Sequence, residues 1–482
     1  MDVILLIFVI VTPIFCFIAS LYLFAYYSHS QEQEFAKNWL TRIYTIFIIL
    51  FGMLQQFFIS LDIANKNSNG ELPLETLFSV YYITLGVFLF IILPFSTFYY
   101  ETSEETSVYF RIRKAFFKCF LYFILITLLI VTTYFIFKVD SGFTYYVIGF
   151  FMIVGWFLLF FSLGVGFVAV PFDLIYSFVK RPQPIQKAEF ETRKKILLDN
   201  LLLLRKRCND ALDERIKINN EKYFKRWWND SRLTRKVASI HCKTLILEKE
   251  YIRLVKLSKF NKYIEPIFYY FKLILGILAI LFNIAIFVQI LGCQILHPDD
   301  QTGCSYDFLS LLIRNLSDET VGLGAISTAI ILVISIYLLY CAWYGNNKLG
   351  IRFVIYTYAP MSPRETLYNN ICYNVFLLNL WSAAITQLLI QAFKRIIAEA
   401  GAESAWNVIF FDNINTFRFH NQMYTYSVFI YMTLGVSLLY FIYTIIYPDD
   451  VKFVLKKNEN YMKSLTNRRN QFIKAEEPLI EN

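Results

Sequence analysis

The feature that most constrains the fold is a series of long apolar runs with almost no charge, spread over a chain of 482 residues. A helix of about 20 such residues crosses the ~30 Å of hydrocarbon in a bilayer. Hydrophobic residues make up 57% of the chain, more than the roughly 45–50% of soluble proteins. The sequence therefore predicts an all-α fold, a polytopic membrane bundle of about nine transmembrane helices with a cytosolic helical hairpin.

The apolar runs define nine predicted spans, numbered in chain order. They cover residues 3–27, 42–64, 76–100, 115–137, 143–179, 267–291, 321–344, 367–393 and 425–447. Four regions follow from this pattern. Spans 1–5 occupy residues 1–179, the basic hairpin 180–265, spans 6–9 residues 266–447, and a cytosolic tail 448–482.

The distribution of basic residues predicts the orientation, since Lys and Arg are retained in short cytosolic loops. The loops after spans 1, 3, 5 and 7 are rich in Lys and Arg, whereas the loop 292–320 has Arg314 against five acidic residues. We therefore expect an extracellular or lumenal N-terminus and a cytosolic C-terminus. The loops 292–320 and 394–424 then face the extracellular or lumenal side.

The loop 292–320 carries two further signs of an oxidising compartment. Cys293 and Cys304 are close enough in sequence to form a disulfide there. Asn315 begins an Asn-Leu-Ser sequon, which is glycosylated on the lumenal side of a membrane. These residues predict a disulfide and a glycan, and they agree with the orientation from basic residues.

The segment from Lys180 to Lys262 holds 23 of the 46 Lys and Arg residues, against 10 acidic residues. Apolar residues recur in it at spacings of three and four, which predicts two amphipathic helices in an antiparallel hairpin. The first of these stripes comprises Leu197, Leu201, Leu204, Cys208, Leu212 and Ile216. The basic charge indicates either a solvated face beside an anionic leaflet or a docking platform for a cytosolic protein partner through 180–265. In the second case Trp227 and Trp228 are candidate anchors to the partner or to the membrane.

The sequence offers no recognisable catalytic or metal-binding motif. Its four histidines are scattered, and no zinc-protease, Cys-x-x-Cys, nucleophile-elbow or Walker sequence occurs. We therefore predict no catalytic residue, no metal, no cofactor and no nucleic-acid partner. The Gly-x-Gly pair at Gly164 and Gly166 lies in span 5, where it indicates close helix packing.

Polar residues inside the spans are the candidate functional residues, because they are costly in hydrocarbon. Span 2 contains Gln55 and Gln56, and span 8 carries four polar residues at helical spacing. These four are Asn379, Ser382, Thr386 and Gln387. They form either hydrogen bonds between helices or the lining of a pore or ligand cavity. No span has a charged residue at its middle, so the expected ligand is neutral or amphipathic.

Two prolines predict irregular helices near the cytosolic ends of their spans. Pro94 interrupts span 3, which ends at Glu101, and Pro171 bends span 5 shortly before Asp173. Pro171, Asp173 and Glu101 are candidate residues for coupling the bundle to the hairpin. The alternative for Asp173 is a structural role, paired with a cation such as Lys180.

Three stretches resemble one known family. They are "ILPFSTFYYE" (92–101), "GVGFVAVPFDLI" (164–175) and "APMSPRETLYNNICYNVFLLNLWSAAITQ" (359–387). With nine spans and a long basic loop, they resemble the limb-region-like (LMBR-type) polytopic membrane proteins, which include a lipocalin-interacting membrane receptor and a lysosomal cobalamin-export protein. The resemblance implies a receptor or transporter-like protein of the plasma or endolysosomal membrane.

These expectations leave two functions open, with a third as the alternative. The chain acts as a receptor or adaptor for an extracellular or lumenal ligand, or as a transporter or transporter component for a small neutral or amphipathic molecule. The alternative is a structural or lipid-organising bundle. The tail "AEEPLIEN" resembles an acidic dileucine signal for endolysosomal delivery, with Leu479 and Ile480 as the pair. The sequence does not predict an oligomeric state.

Overall fold

A computed structural model of the chain describes its spans, the long helix after span 5 and scattered positions between them. The described residues are 7–28, 39–67, 72–102, 108–137, 143–179, 181, 187–219, 233, 236, 240, 243–244, 247–248, 250–252, 254–255, 264–291, 309, 324–349, 352–353, 356–357, 361, 366, 368–393, 405, 409, 421–423 and 427–446.

Nine of the described helices are long and apolar enough to cross a membrane, at the positions that the sequence predicts. The all-α fold class is therefore confirmed. Spans 4 to 9 are single helices, namely Val108–Phe137, Phe143–Val179, Ile264–Leu291, Gly324–Leu349, Tyr368–Ala392 and Val428–Ile446. A short antiparallel pair, β1 (Arg352–Phe353) and β2 (Tyr356–Thr357), lies between spans 7 and 8, with Arg352 opposite Thr357.

The first three spans are irregular helices. Span 1 is Ile7–Val11 (π) and Thr12–Tyr27, span 2 is Trp39–Leu54, Gln55–Phe57 (3-10) and Phe58–Asn67, and span 3 is Leu74–Val87, Phe88–Ile92 (π) and Leu93–Glu101. The helix of span 3 continues through Pro94, and the predicted irregularity is present as the π turn that directly precedes the segment in which Pro94 occupies the first turn. A proline cannot donate the backbone bond of a regular helix, and the π turn accommodates its ring.

Span 5 is continuous at Pro171. The helix Phe143–Val179 runs through this residue without a break, and the predicted bend there stays a prediction. The missing N–H of Pro171 leaves the carbonyl of Phe167 without its usual donor four residues later. Asn283 of span 6 donates its Nδ2–H to that carbonyl at 2.9 Å. A side chain from a neighbouring span therefore replaces the lost backbone bond, and the helix continues.

The chain divides into two compact units. The first comprises Met1–Phe172 and Ile277–Tyr440, and the second comprises Asp173–Gly276 and Phe441–Asn482. In the first unit, span 8 is central, since 89% of its positions are buried against 17% in spans 1 and 4. Spans 1 and 4 accordingly present their apolar side chains outward, as lipid-facing helices do.

Glycines allow the helices around span 8 to approach closely. A Cβ at Gly155 of span 5 would overlap the backbone carbonyl of Leu380 in span 8. A Cβ at Gly166 would overlap the carbonyl of Cys341 in span 7, and one at Gly164 would lie 2.9 Å from the carbonyl oxygen of Thr433 in span 9. The predicted close packing at Gly164 and Gly166 is therefore confirmed, and it fixes span 5 against three neighbours.

The ends of the spans meet on two faces of the first unit. On one face, Thr366 N–H donates to the carbonyl of Tyr27 at 3.2 Å. There the hydroxyl of Tyr368 also donates to the carbonyl of Thr41 at 3.0 Å, and its ring lies 4.9 Å from that of Tyr100. The end of span 1, the start of span 2, the end of span 3 and the start of span 8 therefore share this face.

The opposite face is formed by the other ends of the same bundle. Gln289 of span 6 donates to the carbonyl of Ala392 at 3.0 Å and accepts the N–H of Leu309 at 3.0 Å. Asp62 at the end of span 2 accepts the N–H of Ala405 at 3.4 Å. Successive loops therefore lie on alternate faces of the bundle, as the sequence predicts. The bias of basic residues predicts which of the two faces is cytosolic.

The second unit contains the helix Lys187–Asn219, which we call the basic helix. Ala211 of this helix forms a hydrophobic cluster with Leu233, and Ile240 packs against it. Glu214 pairs with Lys236 at 2.7 Å. Residues that follow the basic helix therefore fold back onto it, as the hairpin prediction requires.

Candidate functional site: a polar layer inside the bundle

The four polar residues predicted on span 8 are all buried, with at most 2% of each residue exposed. The Nδ2 group of Asn379 donates to the carbonyls of Ile48 at 3.1 Å and Val375 at 2.8 Å. Ser382 donates its hydroxyl to the carbonyl of Gly52 at 2.8 Å. Both side chains therefore face span 2.

Gln56 of span 2 joins three spans through its amide. Its Nε2 group donates to the hydroxyl oxygen of Ser382 in span 8. Its Oε1 atom accepts the hydroxyl of Ser335 in span 7. We call Gln56, Ser335, Asn379 and Ser382 the polar layer. All four are at most 2% exposed, so the hydrogen bonds of the layer form in the interior of the bundle.

The polar layer lies at the 3-10 segment Gln55–Phe57 of span 2. Carbonyls just before this irregular segment accept bonds from other spans, that of Phe51 from the hydroxyl of Tyr81 and that of Gly52 from Ser382. Gln55 donates its amide to the hydroxyl of Tyr82 at 2.8 Å. Side chains of spans 3 and 8 thus support irregular backbone inside the membrane, which lipid could not do.

The two remaining predicted residues of span 8 point elsewhere. Thr386 donates its hydroxyl to the carbonyl of Ser382 at 2.9 Å, within its own helix. The Oε1 atom of Gln387 accepts the indole N–H of Trp156 in span 5 at 3.1 Å. The structure therefore brings Asn379 and Ser382 together at span 2 and directs Gln387 towards span 5. A pore-lining role for the four residues stays a prediction.

Three buried polar atoms near the layer have no hydrogen-bond partner among the residues that the structure describes. They are Oε1 of Gln55, Oδ1 of Asn379 and Nε1 of Trp381. A polar atom buried without a partner destabilises a protein by about 1–3 kcal/mol. These two acceptors and one donor are therefore the groups that a further polar molecule would satisfy on entering this part of the bundle.

Several residues of these networks were not singled out by the sequence. Ser335 is a lone hydroxyl in an apolar run, and Asn283 and Tyr337 pair at 2.7 Å between spans 6 and 7. Trp156 and Tyr82 are aromatic residues with one polar atom each. A single polar residue in an otherwise apolar span is the available signal, and it does not reveal the partner.

The candidate coupling residues lie apart from the layer. Glu101 is exposed and pairs with Lys118 of span 4 at 3.4 Å, a surface contact of small energetic value. Pro171 is buried, and Asp173 is half-buried in the last turns of span 5. Their coupling roles stay predictions.

Five further predicted site residues lie outside the described residues. They are Cys293, Cys304, Asn315, Trp227 and Trp228. The dileucine-like tail also lies outside them.

Comparison with known proteins agrees with this architecture. The model of the LMBR1-like membrane protein family matches residues 5–244. A LIMR family protein of Dictyostelium discoideum is 24% identical, with 93% of this chain and 98% of the relative aligned. LIMR family proteins of Arabidopsis thaliana and rice are 23% and 22% identical, over 90% and 91% of this chain and 94% of each relative. No solved structure matches the chain.

The alignments cover 90–93% of this chain, and the family model covers the first five spans with most of the hairpin. The chain is therefore similar to the LMBR1-like membrane protein family, and its relatives match it along nearly their whole length. Its nine candidate spans make it a multi-pass membrane protein.

Proposed function

We propose that the protein is the solute-binding membrane component of a transport system, and that spans 2, 7 and 8 contain the binding region. The observation that carries the proposal is the 3-10 segment Gln55–Phe57, an irregular turn within the continuous helix of span 2 where the polar layer lies. A 3-10 turn in the middle of a helix often marks a functional hinge, and irregular backbone at membrane depth is tolerated where it is buried in protein or lines a cavity.

The chemistry of the layer favours a neutral or amphipathic solute. Its four members are amides and hydroxyls, which bind by hydrogen bonds and carry no charge. The unpartnered oxygens of Gln55 and Asn379 can accept hydrogen bonds from hydroxyl or amide groups of a solute. The unpartnered indole N–H of Trp381 adds one donor.

Flux measurements test this proposal. The full chain, reconstituted in liposomes, should accelerate the passage of at least one member of a panel of uncharged and amphipathic solutes. Asn379→Leu removes the amide with little change in side-chain volume. If the solute loses about 1.4 kcal/mol of binding free energy, the initial flux should fall about tenfold.

Thr132→Val is the matched control for this flux experiment. Thr132 is exposed in span 4, and its hydroxyl bonds to the carbonyl of Leu128 in its own helix. The control should keep the wild-type flux and the wild-type elution volume from a sizing column. No flux with the whole panel, or equal loss of flux in both variants, would count against a binding region in the polar layer.

A receptor or adaptor is the second candidate function. The observation that favours it is the attachment of extracellular or lumenal loop residues to buried polar side chains, Leu309 to Gln289 and Ala405 to Asp62. Loops fixed in this way provide a preorganised surface for a ligand. The hairpin would then couple the bound state to a cytosolic protein.

Deleting residues 186–262 tests this second function. The deletion should leave the spans folded and remove a defined protein from crosslinked pull-downs on the cytosolic side. Circular dichroism and sizing chromatography establish that the spans remain folded. If the same proteins are recovered with and without the hairpin, the adaptor hypothesis fails.

A further inference from the structure

The basic helix exposes apolar side chains outside its contact with the hairpin partner. Five of them, which we call the exposed leucine face, are each between 51% and 65% exposed. They are Leu198, Leu201, Leu202, Leu212 and Ile216. Leu204 and Ala211, by contrast, are 8% and 7% exposed, and Ala211 contacts Leu233. Around the helix, the centre of these five positions lies about 120° from Leu204 and Ala211. The leucine face is therefore a second apolar surface, distinct from the hairpin contact.

Basic side chains lie on the same side of the helix as the leucines. By helical periodicity, Lys194, Arg205 and Glu191 all fall within the leucine face, so two basic residues stand there against one acidic residue. Both basic residues are exposed. Long Lys and Arg stems can lie along apolar surface while their charges reach an anionic group. A helix with this combination is typical of surfaces that bind in the interface of an anionic membrane.

The basic helix is held close to the membrane by a short connection. The guanidinium of Arg181 lies 4.5 Å from the ring centre of Phe178 at the end of span 5, and 5.8 Å from that of Tyr270 in span 6. The chain from Arg181 to Lys187 can span at most about 20 Å. The first turns of the basic helix therefore start within reach of the lipid headgroups.

The geometry points to a lipid surface as the occupant of the leucine face: the basic helix binds the anionic leaflet next to span 5. Its leucines enter the boundary between headgroups and acyl chains, and Lys194 and Arg205 contact anionic headgroups. A second copy of the chain fits less well, because a two-fold contact through this face would bring Lys194 and Arg205 towards the same charges. This inference is independent of the transport proposal.

Lipid quenching of a dye on Cys208 tests the inference with the full chain. Cys208 is exposed, seven residues after Leu201 and four before Leu212, whereas the other described cysteines are buried. With Cys242, Cys293 and Cys304 replaced by serine, the dye attaches to Cys208. In nanodiscs with nitroxide-labelled lipid, we expect strong quenching when phosphatidylserine is present and weak quenching in phosphatidylcholine alone.

Two double variants identify the face that is responsible. Leu198→Gln with Leu202→Gln should lose most of the quenching that depends on phosphatidylserine. Ile196→Gln with Leu203→Gln alters two leucine-sized residues of equal exposure, 56% and 51%, on the opposite side and should retain it. Equal quenching in both variants, or no dependence on phosphatidylserine in the wild type, would overturn the inference. A disulfide crosslink between the Cys208 residues of two copies would also overturn it in favour of self-association.

Discussion

Gly166→Ala is expected to destabilise the bundle by at least about 3 kcal/mol, the upper part of the range for overpacked cores. The added methyl group would overlap the backbone carbonyl of Cys341 and lie 3.1 Å from its Cα. Backbone atoms of a helix cannot rotate away as a side chain can. Spans 5 and 7 would therefore have to separate, and Gly345 of span 7, which packs against Ser162 and Gly166, would lose its contact as well.

The measurement is the midpoint of thermal unfolding in detergent, followed by the fraction of protein that elutes as a single species. Gly435→Ala in span 9 is the matched control, because a Cβ at Gly435 meets nothing within 4 Å. Since Gly is about 1 kcal/mol less favourable than Ala in a helix, the control should be unchanged or slightly more stable. Equal unfolding midpoints for the two variants would contradict the close contact of spans 5 and 7.

Local properties of the sequence account for much of the fold. Apolar runs identify all nine spans, because the hydrophobic requirement of a bilayer applies to each segment separately. Pro94 identifies the irregular part of span 3, and the pair Gly164 and Gly166 identifies a site of close packing. Each of these features depends on residues within one or two helical turns.

The candidate site depends on pairs that are distant in the sequence. Gln56 and Ser335 are 279 residues apart, and the Asn283 amide and the Phe167 carbonyl are 116 residues apart. The sequence places Gln56, Asn379 and Ser382 inside spans but cannot say which spans are neighbours. The 3-10 segment Gln55–Phe57 contains no proline or glycine, so its position follows from contacts with other spans and not from local composition.

Pro171 shows how a distant contact allows a helix to continue through a proline. A proline within a helix costs about 3 kcal/mol or more when its carbonyl partner stays unpaired. In span 5, Asn283 supplies the missing donor to Phe167, and Tyr337 donates its hydroxyl to Oδ1 of Asn283 at 2.7 Å. The buried asparagine of span 6 therefore supplies the hydrogen bond that the proline of span 5 cannot.

Asn283→Leu is expected to lower the free energy of unfolding by about 1–3 kcal/mol, because it leaves the Phe167 carbonyl without a side-chain donor and removes the Asn283 acceptor of the Tyr337 hydroxyl. In a protein that also carries Pro171→Ala, the loss of unfolding free energy caused by Asn283→Leu should be smaller by about 1 kcal/mol. The restored backbone N–H at position 171 can then bond to the Phe167 carbonyl. The remaining cost belongs to Tyr337.

A double-mutant cycle of thermal unfolding midpoints, with wild type, both single variants and the double variant, measures this coupling. Tyr337→Phe provides the control, since it removes the second bond of Asn283 and leaves the bond to Phe167 in place. Its effect should be independent of Pro171→Ala. If Asn283→Leu costs the same with proline and with alanine at position 171, the asparagine does not replace the missing backbone donor, and the continuity of span 5 must have another cause.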